Sequence, residues 1–244
     1  MVDKKRIMEF LKQYFDTTGE ITIDDRGFVT CKGDVTLKYM FEHMRLPVSF
    51  DRVEGDFICL RNELTTLEGA PNSVGGSFYC SHNQLTTLQH APQSVDDSFL
   101  CTNNQLATLE GAPKSVGSFW CSNNKLTTLQ HAPQSVDDSF DCSVNQLTTL
   151  EGAPKSVGGD FWCSNNKLAA LEGLSDISGT LRLSYSPTLP LLRCLLAKQV
   201  EFRPNREDKT IETILNQYAG QGEAGAFACG AELATAGYKE NAQW

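Results

Sequence analysis

Phe119-Trp120-Cys121-Ser122-Asn123-Asn124-Lys125-Leu126-Thr127-Thr128-Leu129 is the fullest form of a phrase that the chain writes six times. The copies begin at Phe57, Phe78, Phe99, Phe119, Phe140 and Phe161, in steps of 21, 21, 20, 21 and 21 residues. A turn follows each copy, as in Glu110-Gly111-Ala112-Pro113-Lys114-Ser115-Val116-Gly117. A fixed period of this length predicts a solenoid in which each repeat gives one strand and covers the next.

The spacing fits the leucine-rich pattern L-x-x-L-x-L-x-x-N/C-x-L. Phe78 and Cys80 take the inward strand positions, Asn83 the Asn position, and Leu85 and Leu88 the next two. Alternation along a strand then turns Ser77, Tyr79 and Ser81 outward. The column Asn62, Asn83, Asn104, Asn124, Asn145, Asn166 should sit inside the bend after each strand. There an amide side chain can pair backbone groups that a turning chain leaves unsatisfied. Pro71, Pro92, Pro113, Pro133 and Pro154 disfavour a regular helix on the return. The expected fold is a leucine-rich repeat solenoid with a short parallel sheet on the concave face and an irregular convex side.

These residues carry a resemblance. Short repeats without a convex helix resemble the leucine-rich repeats of bacterial secreted effectors. The phrase F-x-C-S-x-N-x-L-T-T-L-E-G-A-P-K-S-V-G-G is closer to a family of leucine-rich proteins in bacteriophage and prophage genomes. Leu191-Leu192-Arg193-Cys194-Leu195-Leu196 and Gly220-Gln221-Gly222-Glu223-Ala224-Gly225-Ala226 are similar to the ends of the same family. The resemblance covers about half the chain, and what it implies concerns fold more than function.

Six of the nine cysteines form a column, Cys59, Cys80, Cys101, Cys121, Cys142 and Cys163. A metal or disulfide array is one reading. Strands stacked about 4.8 Å apart would instead point all six thiols into a dry core, and no C-x-x-C pair occurs. The column therefore reads as core packing by free cysteine, which suits a reducing compartment. Hydrophobic residues make up 40% of the 244 and charged residues 21%, ordinary for a globular chain. The formal charge of −9 argues against direct nucleic-acid binding and permits a basic partner. No apolar run approaches the ~18 residues of a membrane span, and no signal-peptide core is present, so the expected location is the host cell cytosol.

In chain order, residues 1–56 read as an N-terminal cap with a helix over 3–16, N-capped by Asp3, then strands at 21–23, 28–31 and 35–37 and a degenerate repeat. Residues 57–180 hold the six repeats. Residues 181–204 read as a degenerate repeat and cap, with a strand at 181–185, a buried helix at 189–197, a strand at 200–202 and a turn at Pro204-Asn205. The tail 205–244 reads as helical, with helices over 207–218 and 224–236.

No catalytic motif is present: no P-loop, G-x-S-x-G or H-E-x-x-H. Gly220 to Gly225 matches G-x-G-x-x-G by letter, but it lies between predicted helices rather than after a strand. Cys229 would be the nucleophile of a ubiquitin-ligase-like effector, yet it lies in an Ala/Gly helix with no nearby His. The expectation is no enzyme, no cofactor and no metal. Asp96-Asp97 and Asp137-Asp138 recur in alternate turns. They read either as solvated turns or as an acidic patch for a basic partner or a DNA mimic. His90 and His131 share that alternation and read as turn residues.

The outward residue at each strand centre is Ile58, Tyr79, Leu100, Trp120, Asp141, Trp162 and Arg182. An apolar row rimmed by Ser, Thr and Asp is how an interaction patch looks, and Trp, Tyr and Arg are enriched at hot spots. Cross-strand support of the sheet is the alternative. The expected function is a protein–protein interaction module. The resemblance implies a phage or prophage accessory protein that inhibits a bacterial host protein, with a virion or assembly component as the other candidate.

Overall fold

The computed structural model describes residues 2–38, 45–174, 176–204 and 207–244. The chain is a parallel β-solenoid of about eight turns with few helices. It forms two compact units: one runs to Lys125 and adds His131–Pro133, the other holds Leu126–Gln130 and Gln134–Trp244.

In the first unit, the helix Lys4–Tyr14 starts at Asp3, whose carboxylate accepts the Arg6 N–H, and buries Leu11. Phe15–Thr17 pairs antiparallel with Val35–Leu37, and Ile21–Ile23 antiparallel with Val29–Cys31. From there pairing is parallel. Val35–Leu37 is followed across one sheet by Phe57–Ile58, Phe78–Tyr79, Ser98–Leu100 and Ser118–Trp120, with Phe78 opposite Phe99 and Phe99 opposite Phe119.

The opposite wall is not irregular as the prolines suggested. Val29–Cys31, Phe50–Val53, Ser73–Val74 and Ser94–Val95 form a second parallel sheet. The reason is local. Proline two residues before the Ser-Val pair holds the approach extended without removing a ladder donor from the pair itself. β-Branched valine suits a strand. The ladder closes through bonds such as Gln93 N to Asn72 O at 3.0 Å and Asp96 N to Val74 O at 3.1 Å.

Between the walls, Phe15, Phe50 and Phe57 meet edge to face with ring centroids 5.2 Å apart, and Phe57, Phe78, Phe99 and Phe119 then follow in a stacked or tilted series at 5.1–5.6 Å. Neighbouring repeats set identical rings one strand spacing apart, so each ring buries the face of the next. The cysteine column and Leu64, Leu85 and Leu106 fill the space beside it, all fully buried.

The asparagine column does what its place after the strand predicts. Asn83 Oδ1 accepts from Asn62 N and Leu64 N at 3.0 Å, while its Nδ2 donates to Cys59 O and Cys80 O. Asn104 and Asn124 repeat the pattern one turn later each. One side chain thus satisfies backbone groups of two successive repeats. The residue before each Asn is left-handed, with φ between 54° and 57° from Arg61 through Asn165. The later turn is also left-handed. Gly69, Gly111, Gly152 and Gly173 hold it at φ 85–96°, and His90 and His131 hold the same place at 67° and 68°.

In the second unit, Phe140–Asp141 pairs with Phe161–Trp162, which pairs with Asp176–Leu183. Ser135–Val136 and Ser156–Val157 form the second wall. Asp176–Leu183 serves both walls as one strand, opposite Ser156 at one end and Phe161 at the other. It therefore begins earlier than the expected 181–185. The apolar run after it is a 3₁₀ turn, Leu192–Leu196, rather than a regular helix. The last strand, Ala197–Phe202, lies parallel to it. The helices Thr210–Tyr218 and Glu223–Thr235 follow. The turn expected at Pro204-Asn205 falls in part outside the described residues. Asn216 accepts from Val200 N at 2.7 Å and donates to Val200 O at 2.9 Å, so a helix side chain satisfies the backbone of the last strand.

Candidate functional site

The outward row is real in each unit, and its chemistry differs between them. In the first unit, Ile58, Tyr79, Leu100 and Trp120 lie directly opposite one another on four adjacent strands. All four are half-buried. Parallel in-register pairing fixes this: each repeat contributes the same position, and the pleat turns it to the same side. The result is a continuous apolar row across the sheet.

The expected polar rim is only partly a rim. Ser77, Ser81 and Ser118 are buried. The Asp56 carboxylate accepts the Ser77 N–H at 2.8 Å, and Ser77 Oγ donates to Asp97 Oδ2 at 3.0 Å. Thr102 Oγ1 donates to Ser81 Oγ at 3.0 Å. These small side chains tie one turn to the next, so they are enclosed by their neighbours. Beyond them, Asn103 Nδ2 lies 3.4 Å from His82 Nε2, and the Asn123 amide donates to Asn103 Oδ1.

In the second unit the row reads Asp141, Trp162, Arg182, and the last strand adds Glu201 opposite Arg182. Asp141 is only 7% exposed, with Oδ1 accepting the Ser143 N–H at 2.9 Å. It sits in the row but presents little surface. The Arg182 guanidinium lies 4.8 Å from the Trp162 ring centroid. It also bonds Glu201 at 2.9 Å and Asp160 at 3.1 Å. Trp162 Nε1 donates to the same Asp160 carboxylate at 3.3 Å, and Arg203 reaches Glu201 at 2.9 Å. Arg182 is thus engaged from three sides within its own unit. Sequence reasoning missed Glu201 as a member of this cluster and read Asp160 only as one of the polar positions flanking the row. The signal for Glu201 lies in Val200-Glu201-Phe202, which repeats the in-out-in alternation without the flanking phrase.

The four acidic residues of the alternate turns, Asp96, Asp97, Asp137 and Asp138, are all exposed. Asp97 is partly used by the fold, since its two oxygens accept from Ser77 and Ser98 hydroxyls. Two of the four lie in each unit. His90 and His131 are exposed turn residues.

All nine cysteines are free and buried. Burial pushes the thiols of Cys59, Cys80, Cys101 and Cys163 well above their ordinary range. Burial, and then the Glu232 carboxylate, push Cys229 up to about 11. That is the opposite of the electropositive setting that makes a thiolate nucleophile. Among the described residues, no group of three or more His, Cys, Asp or Glu could hold a metal ion, and no helix is long and apolar enough to cross a membrane. No protein-family model matches the chain, and no curated protein matches it.

Proposed function

We propose that this chain is a non-enzymatic protein–protein interaction module. In this reading the solenoid is of the leucine-rich repeat type, and the elements before Phe57 and after Thr180 cap its two ends. The observation that carries the reading is the row Ile58, Tyr79, Leu100, Trp120. A series of half-exposed apolar side chains, built in register on a rigid sheet, is a preformed anchor for a protein surface. Cross-strand packing alone does not require the polar-to-apolar contrast between this row and the charged row of the second unit. The resemblance to phage and prophage proteins supports a bacterial host protein as the partner, bound and inhibited in a counter-defence role.

The test is capture from bacterial lysate with the wild-type chain and two variants, Tyr79→Ala/Trp120→Ala and Trp162→Ala. The expected result is a partner retained by wild type and by Trp162→Ala. The double variant should lose at least about 2 kcal/mol of binding while its circular dichroism is unchanged. A partner held equally by all three, or displaced only by duplex DNA, would move the interface to the acidic turns. Co-purification with virus particles and with no host protein would favour an assembly component.

A further inference from the structure

The helix Glu223–Thr235 turns Gly225, Cys229 and Leu233 inward, where all three are buried. Its other side carries Ala224, Phe227, Ala228, Ala231, Ala234 and Thr235, all exposed. Phe227 is 91% exposed, far beyond any other large apolar side chain among the described residues. A ring left in water on a folded helix forgoes the burial gain its type can make. Nothing within its own unit covers it.

We propose that this helix pairs antiparallel with the same helix of a second copy of the chain. The pattern along the helix is self-complementary about Ala231. Residues four apart share a face, so Phe227, Ala231 and Thr235 are aligned. In an antiparallel pair centred on Ala231, Phe227 of each copy lies against Thr235 of the other and Ala231 meets its own counterpart. Small side chains at the crossing let the backbones approach until each ring is covered.

Charge selects the same arrangement. Glu223 opens the helix, and Lys239 lies just past its end in the short 3₁₀ turn Lys239–Asn241. Both are exposed, and neither has an ion-pair partner among the described residues. The exposed side between them is uncharged, because Glu232 is half-buried and accepts from the Tyr218 hydroxyl at 2.9 Å. Antiparallel pairing brings Glu223 of one copy towards Lys239 of the other, twice by symmetry. A parallel pair would set like charges together. A two-fold contact of this kind closes on itself and stops at a dimer. A single helix of 13 residues offers a patch at the small end of specific interfaces, so the dimer is concentration-dependent.

The experiment is sedimentation equilibrium of the full chain over a micromolar concentration series. Wild type is compared with Phe227→Ser, Ala231→Glu, Glu223→Lys, Lys239→Glu and the double charge swap. The expected result is a monomer–dimer equilibrium. Phe227→Ser should weaken it at least ~10-fold, as loss of a central anchor does, and Ala231→Glu should abolish it. Each single charge reversal should weaken it, and the double swap should restore it. Because Phe227 is solvent-exposed, its replacement leaves the fold intact, which circular dichroism verifies. A wild-type chain that stays monomeric at every concentration overturns the proposal. So does a dimer that ignores Phe227→Ser, or one that the double swap fails to restore.

Discussion

The two units present the same backbone position to opposite effect. In the first, Ile58, Tyr79, Leu100 and Trp120 follow one another in register and none carries a charge. In the second, Asp141, Trp162, Arg182 and Glu201 follow one another in register, and Arg182 meets the carboxylates of Glu201 and Asp160 at 2.9 and 3.1 Å. The scaffold beneath is shared: stacked phenylalanines, a buried thiol column and an asparagine that ties each turn to the one before. The repeat therefore fixes where a side chain stands, and the residue placed there decides what it can do. A charged row of this kind has its ion pairs made within its own unit. An apolar row keeps its half-buried side chains next to one another on the sheet.

If the scaffold is common, damage to it should not distinguish the units. Phe99→Ala removes a buried ring packed between Phe78 and Phe119, and Phe161→Ala removes one packed on Phe140. Each should lower stability by about 3–5 kcal/mol. Urea unfolding followed by circular dichroism would measure both. A large loss for one and none for the other would mean the cores are not equivalent.

The asparagine ladder should give the next largest effect. Asn104→Ala removes the acceptor for Leu85 N and the donor to Cys80 O and Cys101 O. The expected cost is about 1–3 kcal/mol, because buried backbone groups are left unpaired. Thr127→Ala, at an exposed site, should cost less than about 0.5 kcal/mol. Equal unfolding midpoints for the two would contradict the bonding scheme.

The rows themselves separate at the third step. Arg182→Ala takes the cation from between Trp162, Asp160 and Glu201 and leaves two carboxylates without it. Its stability cost should be about 1–2 kcal/mol and should shrink as salt is added, since the pairs are only partly buried. Leu100→Ala at the matching place in the first unit should cost less and show no salt dependence. A salt-independent loss at Arg182 would mean that its packing on Trp162, not its charge, holds the row together.

Much of this is legible in the sequence because a repeat states each structural requirement several times. The phenylalanine, cysteine and asparagine columns need no structure to place. Neighbour effects are harder to read. Ser77 and Ser118 sit at outward positions by alternation, yet they are buried because the adjacent turn bonds to them or closes over them. The second wall escapes such a reading because two-residue Ser-Val strands are too short to show a period. Arg182 looks like an exposed hot-spot residue because its partners, Asp160 just before the preceding strand and Glu201 in the following one, lie 22 and 19 positions away in the chain. Phe227 gives no signal, since an Ala/Gly-rich helix carries no face that its sequence sets apart.

The last contrast concerns the left-handed residue before each asparagine. Asn103, Asn123 and Asn165 occupy it with φ of 56°, 54° and 57°, and Val144 occupies it with φ of 55°. Asparagine enters this region at little cost, whereas a β-branched side chain is crowded there. Val144 is also exposed, so it gains little from burial in return. Its backbone N–H donates to Ser164 O at 2.9 Å, a bond any residue at this place would keep. Val144→Asn should therefore raise stability by about 0.5–1.5 kcal/mol, with the m-value unchanged. The reverse change in the first unit, Asn123→Val, should lower it by a similar amount and also remove the amide contact to Asn103. If the two substitutions shift the urea midpoint in the same direction, the strain is not set by the repeat, and the equivalence of the units at this turn fails.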